Sequence, residues 1–312
     1  MSRKQSIYDC LIKTNFMDNL LSKLTVNILT YKTNNQILKK CISSIDRSIK
    51  INIIENSNYL KDQNLFKQIN PNLNIILTGK NLGYGGGHNY GLEKTKTQYA
   101  LILNPDLVCK ENYFTNIKKY LNEDLDFSII GSQYEPNKMN KPAYGLFNKK
   151  KYNLDLPASN IFLQTVDWVV GCSMLLDLNK FTGKKLFDEN FFLFYEETDL
   201  CRRVKNIGKN IFSSKVLIID HLGEKGSFGI DENDINYVKL RNWHLMWSSF
   251  YFDRKHNNYF FALRNSLGIL IRSFFKTIFY LIFFNKIKIN KYLYRFLGLT
   301  NSILGLKSWY RI

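Results

Sequence analysis

Two hydrophobic periods alternate over the first two-thirds of the chain. Leu24 to Tyr31 is apolar and rich in β-branched residues and reads as a strand. Ile37, Leu38, Cys41, Ile42 and Ile45 then recur at three-to-four spacing, which predicts a helix. Ile51 to Ile54 is a second strand that closes on Glu55-Asn56-Ser57, and a helical stretch from Tyr59 to Ile69 leads to a third strand, Leu73 to Leu77. A glycine-rich segment and a short helix follow. Tyr99 to Leu103 is then a continuous apolar run, as a strand covered on both faces requires. Asn104-Pro105 stops it, because proline donates no ladder hydrogen bond, and leaves Asp106 at the strand's carboxyl end. Further on, Glu111 to Leu121 reads as a helix, and Phe127 to Gly131, Val166 to Leu176 and Lys215 to Ile219 as strands. A helix starting near Glu196 has Leu200, Val204 and Ile207 as its buried stripe and Gly208 as its stop. This alternation predicts an α/β fold with a mainly parallel sheet and helices on both faces. Gln133 to Pro157 is polar and reads as an excursion over the site.

The last fifth of the chain follows another rule. Asp253 is the final acidic residue, and eleven of the Lys and Arg residues come after it, out of a net charge of +18. The basic residues are interleaved with Leu, Ile and Phe. Arg264, Arg272 and Lys276 share one helical face, and Lys291 and Arg295 repeat the four-residue spacing. Thr277 to Asn285 is uncharged but only nine residues long, against about twenty needed to cross a bilayer. The pattern predicts amphipathic helices lying in the interface of an anionic membrane, or packed on the rest of the protein. A solvated basic patch for nucleic acid would not alternate with apolar residues in this way, so no nucleic acid is expected. The expected division is an N-terminal arm over 1–22, a catalytic domain over 23–255 and a helical tail over 256–312. Five scattered cysteines with no CxxC pair point to a reducing compartment, and 1–21 lacks the apolar segment of a signal peptide, so the expectation is cytoplasmic.

Candidate chemistry gathers at a few points. Asp106 lies where ligands bind in open α/β sheets, and a carboxylate there is placed to hold a divalent cation against a diphosphate. The plainer reading is an Asp that starts a turn. Gly83, Gly85, Gly86 and Gly87 allow close backbone approach to a ligand, yet neither GxGxxG nor Gly-Lys-Ser/Thr is present. Glu196, Glu197 and Asp199 fall in a first helical turn, where the dipole favours acids. They either pair with Arg202 and Arg203 or supply a base. Mutual repulsion would raise the pKa of one of two adjacent carboxyls. His88 reads as a loop residue and Phe191 to Tyr195 as packing.

Taken together, Leu29-Thr30-Tyr31, Glu55-Asn56-Ser57, the run Asn81 to Asn89, Asn104-Pro105-Asp106, Gly171-Cys172-Ser173-Met174, Glu196 to Arg203, and His221 with Gly226-Ser227 make the chain resemble the family 2 glycosyltransferases. These are inverting enzymes of the GT-A fold, and the resemblance is to the bacterial branch that includes rhamnosyltransferases. It spans about residues 24 to 255. It implies a GT-A nucleotide-sugar-binding sheet flanked by helices, with C-terminal amphipathic helices. It implies that Thr30, Tyr31, Glu55, Asn81, Gly83, Gly85, Asn89 and Asn104 surround the nucleotide sugar. Asp106 and His221 would hold Mg2+ or Mn2+, and Glu197, Glu196 or Asp199 would serve catalysis. The implied partners are a dTDP- or UDP-sugar, a saccharide or lipid-linked acceptor, an anionic membrane surface on the inner face of the bacterial cytoplasmic membrane, and a second copy in a homodimer. Two departures stand out: Glu55 replaces the usual Asp at the base-binding position, and Glu197 replaces the Asp of a Glu-Asp pair. The rival readings are a nucleotidyltransferase, which would need a basic Gly-rich loop after the first strand, a nucleotide-sugar-binding pseudoenzyme, and a basic nucleic-acid-binding protein.

Overall fold

The structure is a computed structural model that describes residues 20–122, 125–136, 143–147, 162–222 and 234–312. The Gly226-Ser227 motif and most of the expected arm and excursion lie outside the described residues. Strands β1 (Leu24–Thr30), β2 (Lys50–Glu55), β3 (Leu73–Leu77) and β4 (Tyr99–Leu103) run parallel, with β1 between β2 and β4. The chain winds outward from β1 to β3, then returns to β4 on β1's other side. That reversal opens a crevice at the carboxyl ends of β1 and β4.

The rest of the sheet departs from the parallel expectation. Beside β4 lies β10 (Ser173–Asp177), antiparallel to both β4 and β6 (Ile129–Tyr134). Next comes β11 (Ile211–His221), parallel to β6 but antiparallel to β5 (Leu107–Cys109) and β8 (Leu163–Thr165). A separate pair joins β7 (Tyr144–Gly145) to β9 (Trp168–Val169). The single strand expected over Val166 to Leu176 is thus two, β9 and β10, split by a turn at Gly171. The sheet is mixed because β10 enters without a crossover helix before it, and only a helical crossover brings a strand back parallel.

Both faces of the sheet are covered. Leu101 and Leu103 pack with α1 (Asn35–Ser43), α2 (Gln63–Ile69) and α4 (Tyr113–Asn122), through residues such as Leu38, Ile42, Phe66 and Ile117. Ala100 and Ile102 point the other way, into a cluster with Leu92 of α3 (Gly83–Lys94) and with Leu200 and Val204 of α5 (Glu196–Asn206). The unbroken apolar sequence of β4 follows from this double burial.

The glycine-rich segment is helix rather than loop, which corrects the sequence reading. Gly83 starts α3 at φ +80°, and a Cβ there would lie 2.4 Å from the Phe192 carbonyl oxygen. A Cβ on Gly87 would lie 2.4 Å from Leu29 Cδ1, so the missing side chain lets α3 lie close against β1. His88 accordingly faces the interior and is fully buried.

Three long helices complete the chain: α6 (Ile235–His256), α7 (Tyr259–Ile282) and α8 (Lys286–Ile303). Asp234 and Asn258 cap α6 and α7 through their side-chain oxygens. The expected boundary near 255 falls at the end of α6, which packs in two directions. Ser248 Oγ donates to the Leu193 carbonyl of the sheet domain, while the Trp247 carbonyl accepts from Ser302 Oγ of α8. α7 is mostly exposed, burying only Ala262, Ser266 and Ser273.

Candidate active site

The crevice at the β1/β4 reversal forms a cleft. Thr30 and Tyr31 at the end of β1, Asn56 after β2, Asn104 after β4, and Asn81, Gly83 and Tyr84 around the start of α3 line it, and Phe192, Leu193 and Leu240 close it. Of the residues expected at the nucleotide sugar, Thr30, Tyr31, Asn81, Gly83 and Asn104 are on this wall. Three are placed elsewhere. Glu55 stands behind the wall, where its carboxylate accepts from Thr30 Oγ1 (2.6 Å) and Ser57 Oγ (2.6 Å). Gly85 packs against Phe187 and Glu196. Asn89 holds the backbone of Phe187 at both ends of its amide, accepting from Phe187 N (2.9 Å) and donating to Phe187 O (2.9 Å). Side-chain reach decided these placements, and α3's helical turn carried Gly85 and Asn89 away from the cleft.

Asn56 and Tyr84 were not singled out from the sequence. Asn56 Nδ2 donates to Asn81 Oδ1 and to Gly83 O, both at 3.0 Å, and its Oδ1 accepts from Leu82 N at 2.9 Å. One amide therefore fixes the entry to α3. The Tyr84 hydroxyl donates to Gly171 O at 2.6 Å, tying α3 to the turn before β10. Burial first, and then the acidic groups around it, Cys172, Glu196, Glu197 and Asp106, hold its proton on far above the usual range. Tyr84 thus sits among the three carboxyls that matter most. Asn56 lay in the Glu55-Asn56-Ser57 motif and Tyr84 in the run Asn81 to Asn89, but only the folded chain reveals which side chains turn inward.

Asp106 occupies the turn between β4 and β5. Register places His221 of β11 opposite Leu107, so His221 Nε2 comes 3.5 Å from Asp106 Oδ2. Asp106 is 5% exposed, and its Oδ1 has no hydrogen-bond partner among the described residues. Burial raises its pKa, and His221 opposes the rise. A buried carboxylate oxygen left open beside an imidazole suits a divalent cation that takes its other ligands from phosphate and water. No group of three or more metal-binding side chains exists among the described residues, so the protein alone offers this pair.

Glu196 and Glu197 open α5 after an unusual turn. Phe194 and Tyr195 both lie at φ 69°, a left-handed conformation that bulky residues rarely adopt. This turn delivers both glutamates into the first helical turn. Glu196 is buried and its Oε2 is unpartnered among the described residues. Its pKa is raised well above normal, by burial first and by the Glu197 charge second. Glu197 is half-buried. Burial raises its pKa too, but its own amide and that of Thr198 stabilise the charged form. The repulsion expected from sequence is real but secondary to burial. Of the two, Glu196 is held further toward the protonated form.

Asp199 does not join them. Its fully buried carboxylate accepts from Arg203 Nε (2.8 Å), Lys255 Nζ (2.7 Å) and His256 Nε2 (2.8 Å), locking α5 to the end of α6. Among the described residues, the expected pairing of first-turn acids with the following arginines holds for Asp199 and Arg203.

The switch-point cleft, with an open buried carboxylate and two glutamates at a helix N-terminus beside it, puts a group that can hold a cation and a group that can take a proton where open α/β sheets bind ligands. Residues 25–175 match the family model described as "Glycosyl transferase family 2". The chain is 24% identical over 246 residues to the Low-salt glycan biosynthesis hexosyltransferase Agl10 of Haloferax volcanii, covering 76% of this chain and 78% of that protein. It is 28% identical over 250 residues to Rhamnosyltransferase WbbL of Escherichia coli strain K12, covering 70% of this chain and 88% of that one. Its fold resembles that of the mannosyltransferase PcManGT from Pyrobaculum calidifontis, solved with GDP-Man and Mn2+, at TM-score 0.53 and 10% identity, covering 91% of this chain and 87% of that one. The similarity to family 2 glycosyltransferases thus covers just under half of the chain, and the likeness to the solved mannosyltransferase is one of fold, a GT-A-like mixed sheet flanked by helices.

Proposed function

We propose that the protein transfers a hexosyl group, with rhamnose as the first candidate, from a dTDP- or UDP-sugar to a saccharide or lipid-linked saccharide, with inversion, in cell-surface polysaccharide synthesis. The observation that carries this reading is the unpartnered buried oxygen of Asp106 beside His221, with Glu197 meeting the cleft-lining Tyr84 at Gly171. The nucleoside lies against Thr30, Tyr31, Asn81 and Asn104. Glu197 takes the proton from the acceptor hydroxyl as its oxygen attacks the anomeric carbon, and the nucleoside diphosphate leaves from the opposite face. Burial of Glu196 favours its neutral form, which limits the negative charge beside Glu197. Asp106 and His221 would hold Mg2+ or Mn2+, which when bound offsets charge on the leaving diphosphate. PcManGT, with Mn2+ in its complex, supports that choice by analogy of fold.

The tail supports membrane attachment. α7 is long and apolar enough to cross a membrane by length and composition, with mean hydropathy 1.2 over its best window. The nine-residue uncharged run had pointed to something shorter; the helix continues through Arg264, Arg272 and Lys276 without a break. Phe274, Phe275, Phe279, Phe283 and Phe284 are exposed along its second half and beyond. A peripheral position on an anionic cytoplasmic membrane surface suits both the aromatics and the cations. A homodimer would be a second way to cover the same face.

The test is a donor screen: purified protein, Mg2+ or Mn2+, a panel of nucleoside-diphosphate sugars and membrane lipid extract, read as released nucleoside diphosphate. Release from one donor, dependent on the extract, is expected. Silence with every donor would overturn the reading.

A further inference from the structure

The donor cleft has a wall that lies far beyond residues 25–175. After α8, residues 304–312 run back across α6 to the cleft mouth. Leu306 O accepts from Trp247 Nε1 (3.0 Å), and the Tyr310 carbonyl lies 2.9 Å from His244 Nε2. A carbonyl only accepts, so Nε2 carries the proton. Nδ1 then accepts from Ser308 Oγ at 3.1 Å. Burial pushes the His244 pKa down to about 3, so this neutral, doubly bonded ring stays in place across the working pH range. Trp243 adds ring contacts to Trp309 (5.6 Å) and Tyr310 (5.9 Å).

This anchoring fixes Arg311. Its guanidinium carbon lies 3.4 Å from the centroid of the Phe192 ring. With Tyr31, Asn81, Phe192 and Leu240 it lines a cavity, and those four residues also line the donor cleft. Arg311 NH1 donates to the Tyr310 carbonyl, and no carboxylate lies within ion-pair reach of Arg311 among the described residues. Glu93 and Glu189 line a neighbouring cavity with it, but Glu93 is 3.7 Å from Lys185 and Glu189 accepts from Asn89. Arg311 is exposed at the cavity rim with no counter-ion among the described residues, and its planar fork matches phosphate. We propose that Arg311 binds a phosphate oxygen of the donor's nucleoside diphosphate, so that the strap 304–312 forms part of the donor site. This rests on the donor-cleft reading above.

The test uses the full chain and compares Arg311→Met and Arg311→Lys with wild type. Met keeps an unbranched stem over Phe192 and loses the charge; Lys keeps the charge and loses the fork. UDP, dTDP and GDP are titrated by calorimetry, and the nucleoside matching the tightest is titrated by NMR, with thermal unfolding as the check on folding. The expected result is a roughly 10- to 100-fold loss of diphosphate affinity in Arg311→Met, less in Arg311→Lys, with nucleoside affinity changed by less than about twofold. Unchanged diphosphate affinity in Arg311→Met, or an equal loss for the nucleoside, would overturn the proposal while leaving the donor cleft intact. If Arg311→Met fails to fold, Arg311→Lys decides alone: undiminished diphosphate affinity overturns the proposal. Wild type that binds none of the three would overturn the donor-cleft reading, and this one with it.

Discussion

His88 offers a sharp test of how the glycine-rich helix is built. It is fully buried on α3, and neither ring nitrogen has a hydrogen-bond partner among the described residues. Its neighbours are rings, Tyr84 edge-on at 4.5 Å and Phe187 at 6.0 Å. Burial lowers its pKa from 6.5 to about 3. At pH 8 the ring is neutral folded or unfolded, so replacing it with Met removes unmet buried nitrogens whose desolvation costs about 1–3 kcal/mol. Some packing is lost in exchange. At pH 5 a second effect enters. The unfolded histidine takes up a proton and the folded one does not. A lowered folded pKa means that stability is lost as pH falls below the unfolded value. Over 1.5 pH units at 1.36 kcal/mol per unit, the loss is about 2 kcal/mol. The figure depends little on the folded pKa, provided it stays well under 5. Urea unfolding of wild type and His88→Met at both pH values isolates the effect, because the other titrating groups are common to the two proteins. The variant should gain about 2 kcal/mol more over wild type at pH 5 than at pH 8. An equal difference at both pH values would refute the reasoning and mean that folded His88 binds protons freely.

Asp199→Asn should behave as a structural lesion. Breaking a buried ion pair costs about 3–5 kcal/mol, and about 2–3 kcal/mol remains after discounting for the solvent around Arg203 and Lys255. A melting temperature unchanged in this variant would contradict that role. Gly83→Ala forces a Cβ into the left-handed region and against the Phe192 carbonyl, which accepts from Tyr84 N at 2.9 Å. It should cost about 2–4 kcal/mol and weaken nucleotide binding, as denaturant melts and titration would show. Replacing Phe279 and Phe283 with Ser should weaken binding to anionic vesicles roughly tenfold or more per residue, and unchanged co-sedimentation would remove α7 as the membrane face.

Much of the fold was legible because local chemistry and global packing agree in β1 to β4. Their apolar runs and the Asn104-Pro105 stop needed no tertiary information. The mixed half of the sheet was not legible, since the direction of β10 is set by its connections and partners rather than by its own residues. Thr30, Tyr31 and Asn104 stand at strand ends and Asn81 just before α3, and all four reach the cleft. Gly85 and Asn89 did not, because a sequence dense in glycine hides a helix whose contacts require the missing side chains. Asp199 and Glu197 look alike in sequence. Their difference comes from Lys255 and His256, over fifty residues away. Arg311 was one more cation in a basic tail until its strap returned to Phe192.

The central claim is that Glu197 is the base. With the donor found by the screen, turnover by Glu197→Gln is measured beside wild type and Asp199→Asn, together with donor affinity. The account predicts that Glu197→Gln loses roughly 10²- to 10⁴-fold in kcat while donor affinity and melting temperature hold. Turnover near the wild-type level in Glu197→Gln would contradict it and move the role to another carboxyl.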